Sequence, residues 1–150
     1  SKNMEPASPT KQAMGLFLLS IGYLVIALGV QGVAPGVKVS ILWLTGLYFI
    51  HSMGELMLSP IGLSMVNKLA PARFASLLMG IWYLSMATAN KFAGILSGLY
   101  PEAGKPKSLA GFEIASMYDF FMLFVVISGV AAVILFVLSR WLQKLMNGVR

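Results

Sequence analysis

The chain has 150 residues, of which 58% are hydrophobic and only 11% charged, with a mean hydropathy of +0.83 and a net charge of +6. Soluble domains carry roughly 45–50% apolar and about 25% charged residues, so the composition argues against a soluble enzyme, a disordered chain and a nucleic-acid binder built on a dense basic surface. With no cysteine, disulfides, zinc-thiolate sites and a Cys nucleophile are excluded.

A helix crossing a ~30 Å hydrocarbon core needs about 20 mostly apolar residues. Four stretches meet this: 13–30, 39–66, 71–99 and 117–145. The expected fold class is therefore an all-α membrane protein with four transmembrane helices. The last three stretches exceed the minimum length and must tilt, kink or protrude. No fixed-period repeat is present.

Residues 1–12 are polar and hold Pro6 and Pro9. Gly15, Gly22 and Gly29 then recur every seven residues in the first span, a flat stripe that lets another helix approach closely. The connection 31–38 contains Gly32, Pro35 and Gly36.

The second span holds polar groups that are costly in lipid. His51, Glu55 and Ser59 are spaced by four and fall along one helical stripe. A charge at the helix centre costs ~2.5–3.5 kcal/mol on insertion scales, so it faces a bundle interior or a wet cavity. Pro60 has no N–H to give the Leu56 carbonyl, so a bend is expected there. A bent helix with a carboxylate one turn before the bend suits a gate or a binding cavity, and pairing with a neighbouring cation is the structural alternative. His51 lies nearer the end of its span and is read mainly as a hydrogen-bonding group.

A very short turn, 67–70, leads into the third span, with Pro71 in its first turn. That span carries Trp82, Tyr83, Ser85, Asn90 and Lys91, then Gly94 and Gly98 in GxxxG spacing. The second and third spans form an antiparallel hairpin. Glu55 lies about 18 Å before Asn67, and Trp82 about 16 Å after Pro71, at 1.5 Å per residue. Both are therefore placed near mid-membrane, where Trp82 forms either packing or the wall of a cavity. Lys91 is expected to snorkel outward or to pair with Asp119. Residues 100–111 read as the longest loop, with Pro101, Gly104 and Pro106. In the fourth span Trp141, Arg140 and Lys144 form an interfacial anchor.

Lys2, Lys11, Lys68, Arg73, Arg140, Lys144 and Arg150 fall on one side, and Lys38, Lys105 and Lys107 on the other. The positive-inside rule puts both ends of the segment and the 67–71 turn in the cytoplasm. One His, and Glu5, Glu102 and Glu113 in loops, give no metal site and no paired carboxylates. No cofactor, no catalytic residue and no nucleic-acid partner is expected.

The run Gly54-Glu-Leu-Met-Leu-Ser-Pro-Ile-Gly-Leu-Ser-Met-Val-Asn-Lys-Leu-Ala-Pro71 resembles the second signature region of the proton-dependent oligopeptide transporters, in the major facilitator superfamily. The likeness continues through Met79-Gly-Ile-Trp-Tyr-Leu84, then Asn90 and Ala93-Gly94. It implies that the four spans are helices 9–12 of a twelve-helix transporter, a C-terminal portion whose remaining helices lie elsewhere. It implies an inner (cytoplasmic) membrane protein that imports di- and tripeptides by alternating access, driven by a proton gradient. Glu55 would then attract the peptide's ammonium, Trp82 would line a side-chain pocket, Ser59 and Ser85 would add polar contacts, and Pro60 would flex within a cytoplasmic gate. The family's Glu-x-x-Glu-Arg proton-coupling motif is absent from this chain. Two alternatives remain at this point: a relative carrying nitrate or another small solute, and a self-contained four-helix membrane scaffold.

Overall fold

The computed structural model describes residues 8–34, 37–101, 107–109 and 111–145. Lys2, Glu5, Pro6, Pro35, Gly36, Glu102, Gly104, Lys105, Pro106 and Arg150 lie outside these residues. The elements in chain order are α1 (Ser8–Gly29), α2 (Ile41–Leu69), a 3-10 turn (Ala72–Phe74), α3 (Ala75–Ser97), β1 (Lys107–Leu109), β2 (Phe112–Ile114) and α4 (Met117–Leu145). The four expected spans are thus four helices, with ends shifted by a few residues.

Local chemistry sets the boundaries. The Ser40 side chain caps α2 by accepting from the Leu42 N–H at 3.4 Å. The α2 helix ends where Ala70 turns extended and donates to the Val66 carbonyl. Pro71 precedes the 3-10 turn and is not in the first turn of α3. At α4, Ser116 and Asp119 form a reciprocal capping box. The Asp119 N–H donates to Ser116 Oγ at 3.1 Å, and the Asp119 carboxylate accepts from the Ser116 N–H at 3.0 Å and its hydroxyl at 2.7 Å. Asp119 is thus engaged by the helix start and not by Lys91, which is exposed.

Helix α1 is the centre of the molecule, packed between α2 and α4, antiparallel to both. The glycine stripe works as its spacing predicts, and it works against α2. A Cβ at Gly15 would lie 2.9 Å from Leu58 Cγ and 3.0 Å from the Gly54 carbonyl; one at Gly22 would meet the His51 ring, 2.7 Å from Nε2; one at Gly29 would strike the Trp43 indole. On the other side of α1, the buried Ser20 hydroxyl donates to the Val125 carbonyl of α4 at 3.0 Å. Tyr23 touches both neighbours, edge-on to His51 at 4.5 Å and stacked on Phe124 at 5.1 Å between centroids.

The α3 helix stands apart. None of its residues is buried, and it meets α2 near the shared turn. Gly94 has no other group within 4 Å of a Cβ position, so the GxxxG pair joins no partner among the described residues. Among the described residues three helices are long and apolar enough to cross a membrane: 8–29, 41–68 and 117–139. The 23-residue α3 is long enough, but Ser85, Thr88, Asn90 and Lys91 make it less apolar, and it does not stand with those three.

The long loop holds an element the apolar pattern did not disclose. The β1 and β2 strands pair antiparallel, Lys107 with Ile114, Ser108 with Glu113 and Leu109 with Phe112. Gly111, at φ +89°, makes the turn that L-residues resist. Ile114 is buried, and the Lys107 ammonium donates to the Gly98 carbonyl at 2.6 Å, a cation placed at the C-terminal end of α3.

The α1–α2 contact gives a direct test. In the full-length protein in detergent, Gly22→Ala is expected to lower stability by about 1–3 kcal/mol through overpacking against His51. Gly46→Ala, whose Cβ would sit 3.8 Å from Val25, is expected to leave the thermal midpoint unchanged.

Candidate functional site

Helix α2 carries the polar group of interest. It runs through Pro60 as one continuous helix from Ile41 to Leu69. His51, Glu55 and Ser59 do not share one environment. Each four-residue step turns a helix about 40° beyond a full circle, so the stripe drifts away from α1. His51 faces α1, where its Nε2–H donates to the Leu19 carbonyl at 3.2 Å; a carbonyl can only accept, which fixes the tautomer of that ring. Glu55, Ser59 and Pro60 are exposed. The hydrogen-bonding reading of His51 is therefore the one the structure carries.

Trp82 and Ser85 lie on α3 and come together. Both line a cavity of about 310 Å³ in the α2–α3 hairpin, with Met65, Val66, Ala70 and Leu78. The Ser85 hydroxyl donates to the Trp82 carbonyl at 2.7 Å, one turn back in its own helix. The tip of the Trp82 indole rests on Gly62 of α2, and Gln12 of α1 closes the same spot: a Cβ at Gly62 would meet the indole and lie 2.9 Å from Gln12 Nε2. Gly62 is buried, and a larger residue there has to displace the indole and the Gln12 amide.

Glu55 and Ser59 are not among the residues lining this cavity. Glu55 precedes Gly62 by seven residues, about 10 Å along the same side of α2. The Trp82 ring thus lies nearer the α2–α3 turn than the equal-depth estimate placed it. That estimate compared backbone rise alone, whereas helical side chains lean toward their own N-terminus, and the N-terminus of α3 is at the turn.

The site therefore has two parts on one side of α2: an exposed carboxylate within a long apolar helix, and an apolar cleft walled by an indole. Among the described residues no three His, Asp or Glu side chains come together to hold a metal ion. Sequence reasoning gave no role to Gly62 or Gln12. Gly62 carried a signal, as a glycine inside an otherwise bulky helical signature; Gln12 carried none.

A family model described as the POT family matches residues 1–112. The chain belongs to the POT family. Among POT relatives, the dipeptide and tripeptide permease A of Escherichia coli K12 is 40% identical over 91 residues, 61% of this chain and 18% of the permease. The dipeptide and tripeptide permease A of Chromobacterium violaceum is 34% identical over 138 residues, 91% of the chain and 28% of that protein. The di-/tripeptide transporter of Lactococcus lactis subsp. lactis is 31% identical over 147 residues, 97% of the chain and 27% of the transporter. The chain thus spans about a quarter or less of the length of these relatives.

His51→Phe keeps a ring against Tyr23 but removes the bond to Leu19. It is expected to cost only about 0.6 kcal/mol, a typical value for an interhelical hydrogen bond in a membrane. Denaturant unfolding of the full-length protein in micelles measures it.

Proposed function

We propose that this POT-family chain contributes helices 9–12 of a proton-coupled di- and tripeptide importer in the inner membrane, working by alternating access. The observation that carries this reading is Glu55, an exposed carboxylate midway along an apolar helix, on the side of α2 that also receives Trp82 at Gly62. The relatives named above are dipeptide and tripeptide permeases, which supports a peptide as substrate. Such peptides differ in side chains but always offer an ammonium and a carboxylate. A fixed carboxylate binds the one feature shared by all of them at the amino end. An apolar cleft walled by Trp82 accepts varied side chains without demanding any one.

In this mechanism Glu55 holds the substrate ammonium. Trp82 lines the side-chain pocket, and Ser59 and Ser85 add polar contacts. Pro60 is the flex point of the α2–α3 gate. Proton coupling rests mainly on residues in the rest of the transporter, and the membrane potential adds about 2.3 kcal/mol per charge for each 100 mV.

The reading also requires α3 to cross the bilayer. Three of its hydroxyls are compatible with that, since Ser85, Thr88 and Ser97 donate to the Trp82, Leu84 and Gly94 carbonyls of the same helix and need no partner from lipid. Both ends of the segment and the α2–α3 turn are placed in the cytoplasm.

Two measurements test the proposal. In proteoliposomes holding the full-length protein, Glu55→Gln is expected to raise the KM for dialanine at least about tenfold, the loss of a charged hydrogen bond. Unchanged affinity removes Glu55 from the site, and counterflow with nitrate but not dialanine replaces the peptide by an anion. In a background freed of other cysteines, Ser108→Cys is expected to react with an impermeant maleimide in intact cells, and Lys68→Cys only after permeabilisation. Labelling of both from one side rules out a crossing by α3.

A further inference from the structure

The Trp82 indole is held by three helices. It is rooted on α3, its tip rests on Gly62 of α2, and the side-chain amide of Gln12 on α1 meets the same spot. A Cβ built on Gly62 would lie 2.9 Å from Gln12 Nε2 and 3.2 Å from Trp82 Cζ2, and it would also meet Cη2 of the ring. The six-membered ring therefore lies directly on the α2 backbone, with no side chain between. The backbone conformation does not call for glycine, since α2 is helical through this position. Glycine inside a helix costs about 1 kcal/mol relative to alanine, so α2 gives up helix stability for space at residue 62. The other two glycines of α2 do something else: Gly54 meets the Gly15 carbonyl and Leu19 of α1, and Gly46 has only Val25 nearby, at 3.8 Å.

The space next to the indole is the cleft of about 310 Å³ in the α2–α3 hairpin. Trp82 is part of its wall and Gly62 is not. A ring pushed off Gly62 is hemmed in on the α1 side by Gln12, and the room open to it is the cleft. Residue 62 therefore sets how much of the cleft the indole fills, without touching what enters it. The lining side chains are apolar but for the indole N–H and the Ser85 hydroxyl, which is already bonded to the Trp82 carbonyl. Such a cleft selects by volume. A branched side chain the size of leucine needs the recess, and an alanine methyl does not.

We propose that Gly62 is a positioning residue that sets the size of substrate side chain accepted, by letting the Trp82 indole recess into α2. This deepens the peptide-transport reading and rests on it, because it takes the Trp82 cleft as a side-chain pocket.

The test uses the full-length protein in proteoliposomes with dialanine and dileucine as substrates. Gly62→Ala is expected to raise the ratio of the dileucine KM to the dialanine KM at least about tenfold, the lower end of what one methylene of space decides in an apolar pocket. Adding Trp82→Phe, whose ring lacks the two atoms that meet the new Cβ, is expected to return the ratio toward the wild-type value. A merely structural role for Gly62 would weaken both peptides alike and leave the ratio unmoved. Gln12→Ala opens the α1 side of the indole and is expected to lower the ratio, and it carries the test by itself should Gly62→Ala not fold. An unchanged ratio in Gly62→Ala, a raised ratio that Trp82→Phe does not reverse, or an unchanged ratio in Gln12→Ala overturns the proposal and leaves the transport reading standing. Wild-type protein that carries neither peptide overturns the transport reading and this proposal with it.

Discussion

The close approach of α1 to α2 is the constraint on which the rest depends. In a bilayer, helices gain little from hiding apolar surface from one another, because lipid tails are equally apolar. Association instead needs intimate packing and satisfied polar groups. Gly15, Gly22 and Gly29 supply the first, by letting Leu58, His51 and Trp43 lie directly on the α1 backbone. The His51 bond to Leu19 supplies the second. Tyr23 extends the same contact to α4 through Phe124. Once α2 is seated on α1 in this register, the outward aspect of Glu55 and the position of Gly62 follow from helix geometry alone.

Much of this was legible in the residues. Four long apolar runs gave four helices because lipid leaves the backbone few alternatives to helix. The seven-residue glycine spacing gave the packing face of α1, since seven residues are almost two full turns. Two things stayed hidden for physical reasons. The β1–β2 pair is set by the turn at Gly111 and by Ile114 finding cover, and three-residue strands carry no usable periodicity. The split of His51 from Glu55 and Ser59 was hidden by the approximation that four residues equal one turn. The GxxxG pair of α3 illustrates the opposite error, since spacing that permits a contact does not create one.

The candidate site was legible in its chemistry but less so in its geometry. Composition singled out Glu55 as the acidic group inside a span, and the structure leaves it exposed on α2. Trp82 was placed by backbone depth, and its ring lies nearer the turn. The glycine that receives it, Gly62, is where the two parts of the site are joined: it brings an indole against the helix that bears the carboxylate. The family resemblance supplied the roles, and the packing supplied a reason for the glycine.

The uneven attachment of the four helices has a mechanical consequence. Helix α1 is held to α2 by close contacts at its glycines, and to α4 by the Ser20 hydrogen bond and the Tyr23–Phe124 stack. The α3 helix adjoins α2 at the turn around residues 70–74 and through the Trp82 indole at Gly62, and just past its far end the Gly98 carbonyl accepts from Lys107. The connections that hold α3 to its neighbours are therefore few: the turn, one indole seated on a glycine, and one lysine bond.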